Sequence, residues 1–302
     1  MSIEPLARAQ AENDNVTKGI IFALSAYFLF AIMTALAKHL FNEGYHIIEI
    51  AFYRNLIALL PFFIIFQLRG GFKKHIPVNR KGIFLRSIIG AISLVVTFGT
   101  FAHLPMADAT AMIFGSTLVV PILAHFLLKE HVGLYRWGAV VVGFIGILIM
   151  AQPTGATNWI GIGFALATVL CHATIQTMVR WIGRTDTPFV ITFYFIALGT
   201  VFCGLFMPFV GSIPSSEHIL LFIAVGAIGS AGQFCITSAF KNTQASIVTI
   251  FNYSGIIWAT SIGWIIWGDW PTLAIWIGGS IVIGSNLFII YREQKRNKAD
   301  VR

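Results

Sequence analysis

Charge is the scarcest commodity in this sequence. Only 11% of its 302 residues are charged, where a soluble domain carries roughly a quarter. A chain so poor in charge cannot cover itself with a water-compatible surface, which excludes a soluble enzyme or a soluble binding module. Cysteine is scarce as well. Cys171, Cys203 and Cys235 all fall in apolar stretches, where small buried hydrophobes are a better account than a disulfide or a metal site. Nucleotide and catalytic signatures are missing too. The chain has no G-x-x-x-x-G-K-[ST], no G-x-S-x-G, no H-E-x-x-H and no C-x-x-C. Nothing therefore points to ATP hydrolysis, acyl transfer, a metal or any other cofactor.

What the sequence does have is apolar length. Hydrophobic residues make up 57% of it, with mean hydropathy +0.82. They fall in ten runs, 19–40, 47–67, 82–102, 107–127, 134–151, 159–181, 188–210, 218–239, 246–267 and 272–291. A helix needs about 20 residues to cross a hydrocarbon core roughly 30 Å thick. The runs are continuously apolar and do not alternate, so they read as helices and not as barrel strands. The expected fold class is an all-α integral membrane protein of ten transmembrane helices, with lipid as its solvent. No small-residue cleavage site follows the first run, so that run reads as a retained helix and not a signal peptide.

The net charge of +8 would suit nucleic acid, but its placement does not. With the N-terminus inside, every lysine and arginine except Lys38 and Arg54 falls in a cytoplasmic segment. That asymmetry is the positive-inside bias, and it puts both termini in the cytoplasm. None of the runs carries a mid-membrane Asp or Glu, which weakens a carboxylate-based proton-coupling scheme.

The chain is also duplicated. Gly19-Ile-Ile-Phe-Ala-Leu aligns with Gly161-Ile-Gly-Phe-Ala-Leu, and Lys38 then falls on Arg180. Gly90-Ala-Ile matches Gly226-Ala-Ile, Phe114-Gly-Ser-Thr faces Phe251-Asn-Tyr-Ser, and Glu130 and Trp137 fall on Asp269 and Trp276. The expected layout is an N-terminal tail (1–18), a first five-helix repeat (19–151), a second (159–291) and a basic tail (292–302). Five is odd, so the second repeat crosses the membrane inverted. Inverted repeats are a recurring architecture of secondary transporters, because two halves related by an in-plane axis can exchange conformations.

The residues also resemble a known family. Phe52-Tyr-Arg-Asn-Leu-Ile-Ala-Leu-Leu, Ala102-His-Leu-Pro-Met-Ala-Asp-Ala-Thr-Ala, and Leu127-Leu-Lys-Glu-His-Val leading into Trp137-Gly-Ala-Val-Val-Val-Gly-Phe-Ile-Gly are similar to the EamA-type members of the drug/metabolite transporter superfamily. The first repeat is most similar to the subgroup with S-adenosylmethionine and riboflavin importers. The resemblance implies ten helices, cytoplasmic termini, a central cavity and transport of small organic metabolites. The second repeat keeps Gly268-Asp269 and Trp276 but has Asp269 where the pattern usually has glutamate.

Arg54 is the first candidate site residue. It lies about 10 Å below the outer boundary of the second run, at 1.5 Å per residue. It either holds an anionic substrate group through its guanidinium fork or serves the structure, by snorkelling or by pinning Glu49 or a helix end. The other candidates are Thr97, Ser116, His172, Gln176, Gln233, Asn252, Tyr253 and Trp258, near the middle of their runs. For Thr97 and Ser116 a bond to the helix backbone is the simpler account, and for His172 a neutral hydrogen-bonded ring is simpler than a proton relay. Asn252-Tyr253-Ser254 beside Trp258 would offer a planar substrate both hydrogen bonds and an aromatic face. Asp108 and Asp269 read as helix N-terminal caps, Lys38 as an interface anchor at the outer mouth. Gly138, Gly143, Gly146, Gly278, Gly279 and Gly284 permit close helix packing, on the core or at a homodimer contact. The expectation is a plasma-membrane secondary transporter of a small amphipathic, carboxylate-bearing metabolite, with a lipid or lipid-linked sugar flippase as the alternative and an intramembrane enzyme as the weaker one.

Overall fold

The computed structural model of the chain describes residues 16–71, 75–128, 134–150, 158–182, 185–242, 248 and 251–300. Among these residues every regular element is a helix. The first half holds α1 (Val16–Asn42), α2 (Ile47–Leu68), α3 (Arg80–His103), α4 (Met106–Ile113), α5 (Gly115–Leu128) and α6 (Leu134–Met150). The second holds α7 (Trp159–Ile182), α8 (Pro188–Gly204), the short α9 (Met207–Val210), α10 (Ile219–Asn242), α11 (Ser254–Trp267) and α12 (Leu273–Asp300). Five spans, in α1, α2, α3, α7 and α10, have 21 to 26 residues with hydropathy of 1.6 to 2.3. Five shorter apolar stretches lie in α4–α5, α6, α8, α11 and α12. The protein is an all-α, multi-pass membrane protein. Side chains such as Leu68 (82% exposed) and Phe209 (84%) point away from the bundle, because a bundle in lipid loses nothing by leaving them uncovered.

Two faces follow from the alternating direction of the helices. At the basic face α2 ends and α3 begins, at the far face α1 ends and α2 begins. Loop polar groups fasten both. At the basic face Asp186 accepts hydrogen bonds from the Val78 and Asn79 amides at 2.7 and 3.0 Å and from the Thr185 hydroxyl at 2.8 Å. Asn79 in turn caps α3 by accepting from the Gly82 amide. At the far face the buried Glu49 accepts from the Ser212 amide and hydroxyl at 3.3 and 3.1 Å. Glu49 is thus satisfied without Arg54.

The packing exchanges the halves. The first helix of each half lies on the third of the other, α1 on α10 and α7 on α3. The second helices α2 and α8 meet each other, as do α4 and α11, and the fifth helices α6 and α12. The contact of α8 with α3 has its counterpart in α10 with α2, and α7 with α5 in α1 with α11. Such pairing is what a two-fold relation between five-helix repeats produces. Where α6 meets α12 the backbones touch. A Cβ on Gly146 would lie 2.7 Å from the Gly278 carbonyl, so that glycine pair sits in the contact between halves. Gly138 and Gly284 instead line an apolar groove on the outside of the same helix pair.

Several expectations from the sequence change. The runs 107–127, 188–210 and 246–267 are each expected to be one helix, and each is interrupted. Run 107–127 breaks at Phe114, between α4 and α5. The second run divides after Gly204, because Pro208 has no N–H to give the Gly204 carbonyl and its ring would collide with it. The third breaks at Asn252 and Tyr253, where the Gly255 amide reaches back only to the Asn252 carbonyl at 2.9 Å. Asp269 does not cap α12. Trp270 and Pro271 delay the helix to Leu273, and Thr272 takes the capping place by accepting from the Ile275 amide. Asp108 lies in the first turn of α4, which has no side-chain cap bond. Backbone 292–300 continues α12. His125, Lys129, Glu130, Arg180 and Arg184 lie outside the described side chains.

Candidate functional site

The breaks at Phe114 and at Asn252–Tyr253 occupy corresponding places in the two halves, and both face one cavity of about 440 Å³ between the repeats. Its walls are α1, α2, α3, α4, α5, α7, α8, α10 and the start of α11. Interrupted helices of this kind are tolerated at membrane depth only where their loosened backbone faces protein or a polar cavity.

Of the sequence candidates, Arg54, Thr97, Ser116, His172, Gln176, Gln233 and Asn252 line this cavity. They come from six different apolar segments, so only the tertiary structure assembles them. Thr97 donates its hydroxyl proton to the Ser93 carbonyl at 2.6 Å, and His172 Nε2 lies 3.3 Å from the Thr97 hydroxyl oxygen. Ser116 is buried, whereas Gln176 is exposed to the cavity.

Tyr253 and Trp258 do not line it. The Tyr253 ring packs against Phe114 at 5.2 Å between centroids, so the two aromatic residues at the breaks brace each other. Trp258 lies edge-on to Phe28 at 5.0 Å, with its indole N–H buried and unbonded. Reading 252–258 as one cluster supposes an unbroken helix. The break turns Asn252, Gly255 and Ala259 toward the cavity and the two rings away from it.

Arg54 is only 4% exposed. Its Nη1 donates to Asn55 Oδ1 at 2.9 Å, and its Nε has no hydrogen-bond partner. A Cβ on Gly229 would stand 3.1 Å from that Nε, so the glycine makes room for the guanidinium. Arg86 also lines the cavity. Sequence reasoning counts it among the basic residues of the helix end, although it falls inside the run 82–102, and that position is the signal that could have found it. Tyr27, Thr110 and Phe195 are further lining residues that carried no distinguishing sequence signal.

Lys38 ties three segments together at the far face. Lys38 Nζ donates to the Leu104 carbonyl at 3.0 Å and to Asp269 Oδ2 at 3.4 Å, and stands 4.9 Å from the centre of the Trp267 ring. Lys38 is 8% exposed, which overturns its reading as an interface anchor. This one side chain joins α1, the α3–α4 turn and the α11–α12 turn.

Apolar helices in two exchanged halves around a cavity that holds several polar side chains are an architecture found in membrane transporters. The profile of the EamA-like transporter family matches residues 17–152 and again 159–291. The chain belongs to the EamA-like transporter family. Similar curated proteins include the pseudopaline exporter of Pseudomonas aeruginosa, 26% identical over 89% of this chain and 95% of that one. The riboflavin transporter of Vibrio cholerae is 24% identical, over 94% and 96% of the two chains. The S-adenosylmethionine uptake transporter of Rickettsia prowazekii is 28% identical, over 92% and 94%. A solved crystal structure matches the fold with TM-score 0.59 over 93% of this chain and 98% of that one, at 15% identity. The relatives are named transporters and not enzymes, and they make this chain a small-metabolite transporter.

Proposed function

We propose that the protein is a secondary transporter of the bacterial inner membrane, with both termini in the cytoplasm, moving an amphipathic, carboxylate-bearing metabolite by alternating access. S-adenosylmethionine, an amino acid and a vitamin are the substrates to try first. The observation that carries this reading is the cavity between the exchanged halves, where Arg54 presents an unbonded, buried Nε. A guanidinium held dry at that depth is costly unless something anionic visits it. The Lys38–Asp269 contact joins the two halves at the far face, and rocking of the repeats would break it.

The test is uptake into proteoliposomes holding the pure protein, without ATP, with and without a proton gradient. The panel is labelled S-adenosylmethionine and amino acids, with riboflavin, which has no carboxylate, as the contrast. Saturable uptake that is lost in Arg54→Ala supports the reading. Failure of the whole panel under gradients of either sign, together with movement of a labelled lipid between leaflets, would replace it with a flippase.

A further inference from the structure

Arg54 is not alone in the cavity. Arg86 enters from the third helix, and its Nε and Nη1 are buried without a hydrogen-bond partner among the described residues. Its guanidinium carbon stands 4.5 Å from the centre of the Phe195 ring. Nη1 lies 3.6 Å from where a Cβ on Gly90 would be, one turn further along α3. The side chain therefore runs inward from the basic face. A snorkelling arginine would bend the other way, toward water.

No aspartate or glutamate among the described residues lines the cavity. Of the acids nearby, the buried Glu49 is held by Ser212 and the partly exposed Asp269 pairs with Lys38, with Asp108 beside that pair; none of the three lines the cavity. Two guanidinium groups thus share one cavity with no protein counter-charge and with N–H donors unmet on each. Leaving such donors unsatisfied out of water is what folded proteins avoid. Phe195 covers one face of the Arg86 guanidinium, so a ligand must meet the N–H edge, which is the geometry of carboxylate and phosphate binding. Gly229, beside Arg54, lies about 15 Å below the far-face end of α10, and Gly90, beside Arg86, about 20 Å below the same end of α3. The two cations therefore sit at depths that differ by about 5 Å.

We propose that Arg54 and Arg86 form a two-cation site, and that the substrate is a small organic dianion whose two acidic groups are set several ångströms apart. This rests on the cavity being the substrate site. It narrows the substrate class away from neutral and net-cationic compounds.

The test is binding to the purified full-length protein, by calorimetry and thermal shift at constant ionic strength. The probes are succinate, glutarate and adipate, against butyrate and the corresponding diamides. At least one dicarboxylate should bind tenfold or more tighter than butyrate. In Arg86→Gln that preference should fall to near one, and Arg86→Lys, which keeps the charge but not the fork, should fall between. Melting temperature and gel-filtration profile establish that each variant is folded, and if Arg86→Gln is not, Arg86→Lys alone decides. An unchanged dicarboxylate preference in a folded variant overturns the proposal. So does uptake of a neutral or cationic compound that dicarboxylates do not inhibit, which would leave the transporter reading intact. Arg86-dependent dicarboxylate binding with no uptake of any compound would do the reverse.

Discussion

Arg54 shows how far a single residue can be read and where the reading stops. Its depth in an apolar run marks it as costly and so as employed. Whether it serves a substrate or pins Glu49 depends on where the carboxylate of Glu49 goes, and that goes to Ser212. Arg54→Ala should therefore weaken a carboxylate substrate by about 1–3 kcal/mol, read as a rise in Kd or KM, with little loss of thermal stability. Asp186 makes a different prediction. Burial works to raise its carboxyl, but the hydrogen bonds from Asn79, Thr185 and Val78 outweigh that and hold it below the usual carboxylate range. A group depressed in the folded chain stabilises it fully above its unfolded value near pH 4, and that stabilisation fades as pH falls through the folded value. The melting temperature of Asp186→Asn should thus lie below that of the parent at pH 7, and the gap should close as the pH falls below about 4. Arg86 was legible only in part. A basic residue a few positions inside a helix can snorkel or turn inward, and its neighbours in sequence do not say which.

At the scale of elements, the apolar runs were legible because hydropathy and length follow directly from the thickness of the hydrocarbon. The interruptions at Phe114 and Asn252–Tyr253 were not. The residues there, Gly115-Ser116-Thr117 and Asn252-Tyr253-Ser254, are tolerated inside helices and only become breaks when a cavity accepts the loosened backbone. Tyr253 and Trp258 left the candidate site for that reason. Glycine behaves in the same two-sided way. Gly146 and Gly138 lie on the same helix, but a Cβ on Gly146 meets the Gly278 carbonyl, whereas around Gly138 nothing lies within 4 Å. Alanine is the better helix former by about 1 kcal/mol. Gly138→Ala should therefore raise the melting temperature slightly, and Gly146→Ala should lower it because the α6 and α12 backbones must part.

At the scale of the whole molecule, the packing of the halves brings side chains from distant parts of the chain together at the far face. Lys38 was expected at the surface, since a lysine at a helix end ordinarily reaches water. The turn after α11 brings Asp269 to it instead, and Trp267 covers the pair. Asp269→Asn should loosen the far-face closure. In a variant without native cysteines and carrying Thr34→Cys, a membrane-impermeant thiol reagent added at that face should label the cysteine several-fold faster after Asp269→Asn. Equal labelling rates would mean that the pair does not hold the closure.

The sequence by itself determined the membrane class, the number of apolar segments, the duplication and the family resemblance, and it marked most of the polar residues that line the cavity. These follow from composition and spacing, because a bilayer imposes the same length and apolarity on every crossing segment. Only the tertiary structure decided which polar side chains meet, which way Arg86 turns, where two helices break and what Lys38 and Asp269 do. Each of those depends on partners more than 100 residues away in the chain or in another helix, and no local spacing encodes the angle at which two helices pack.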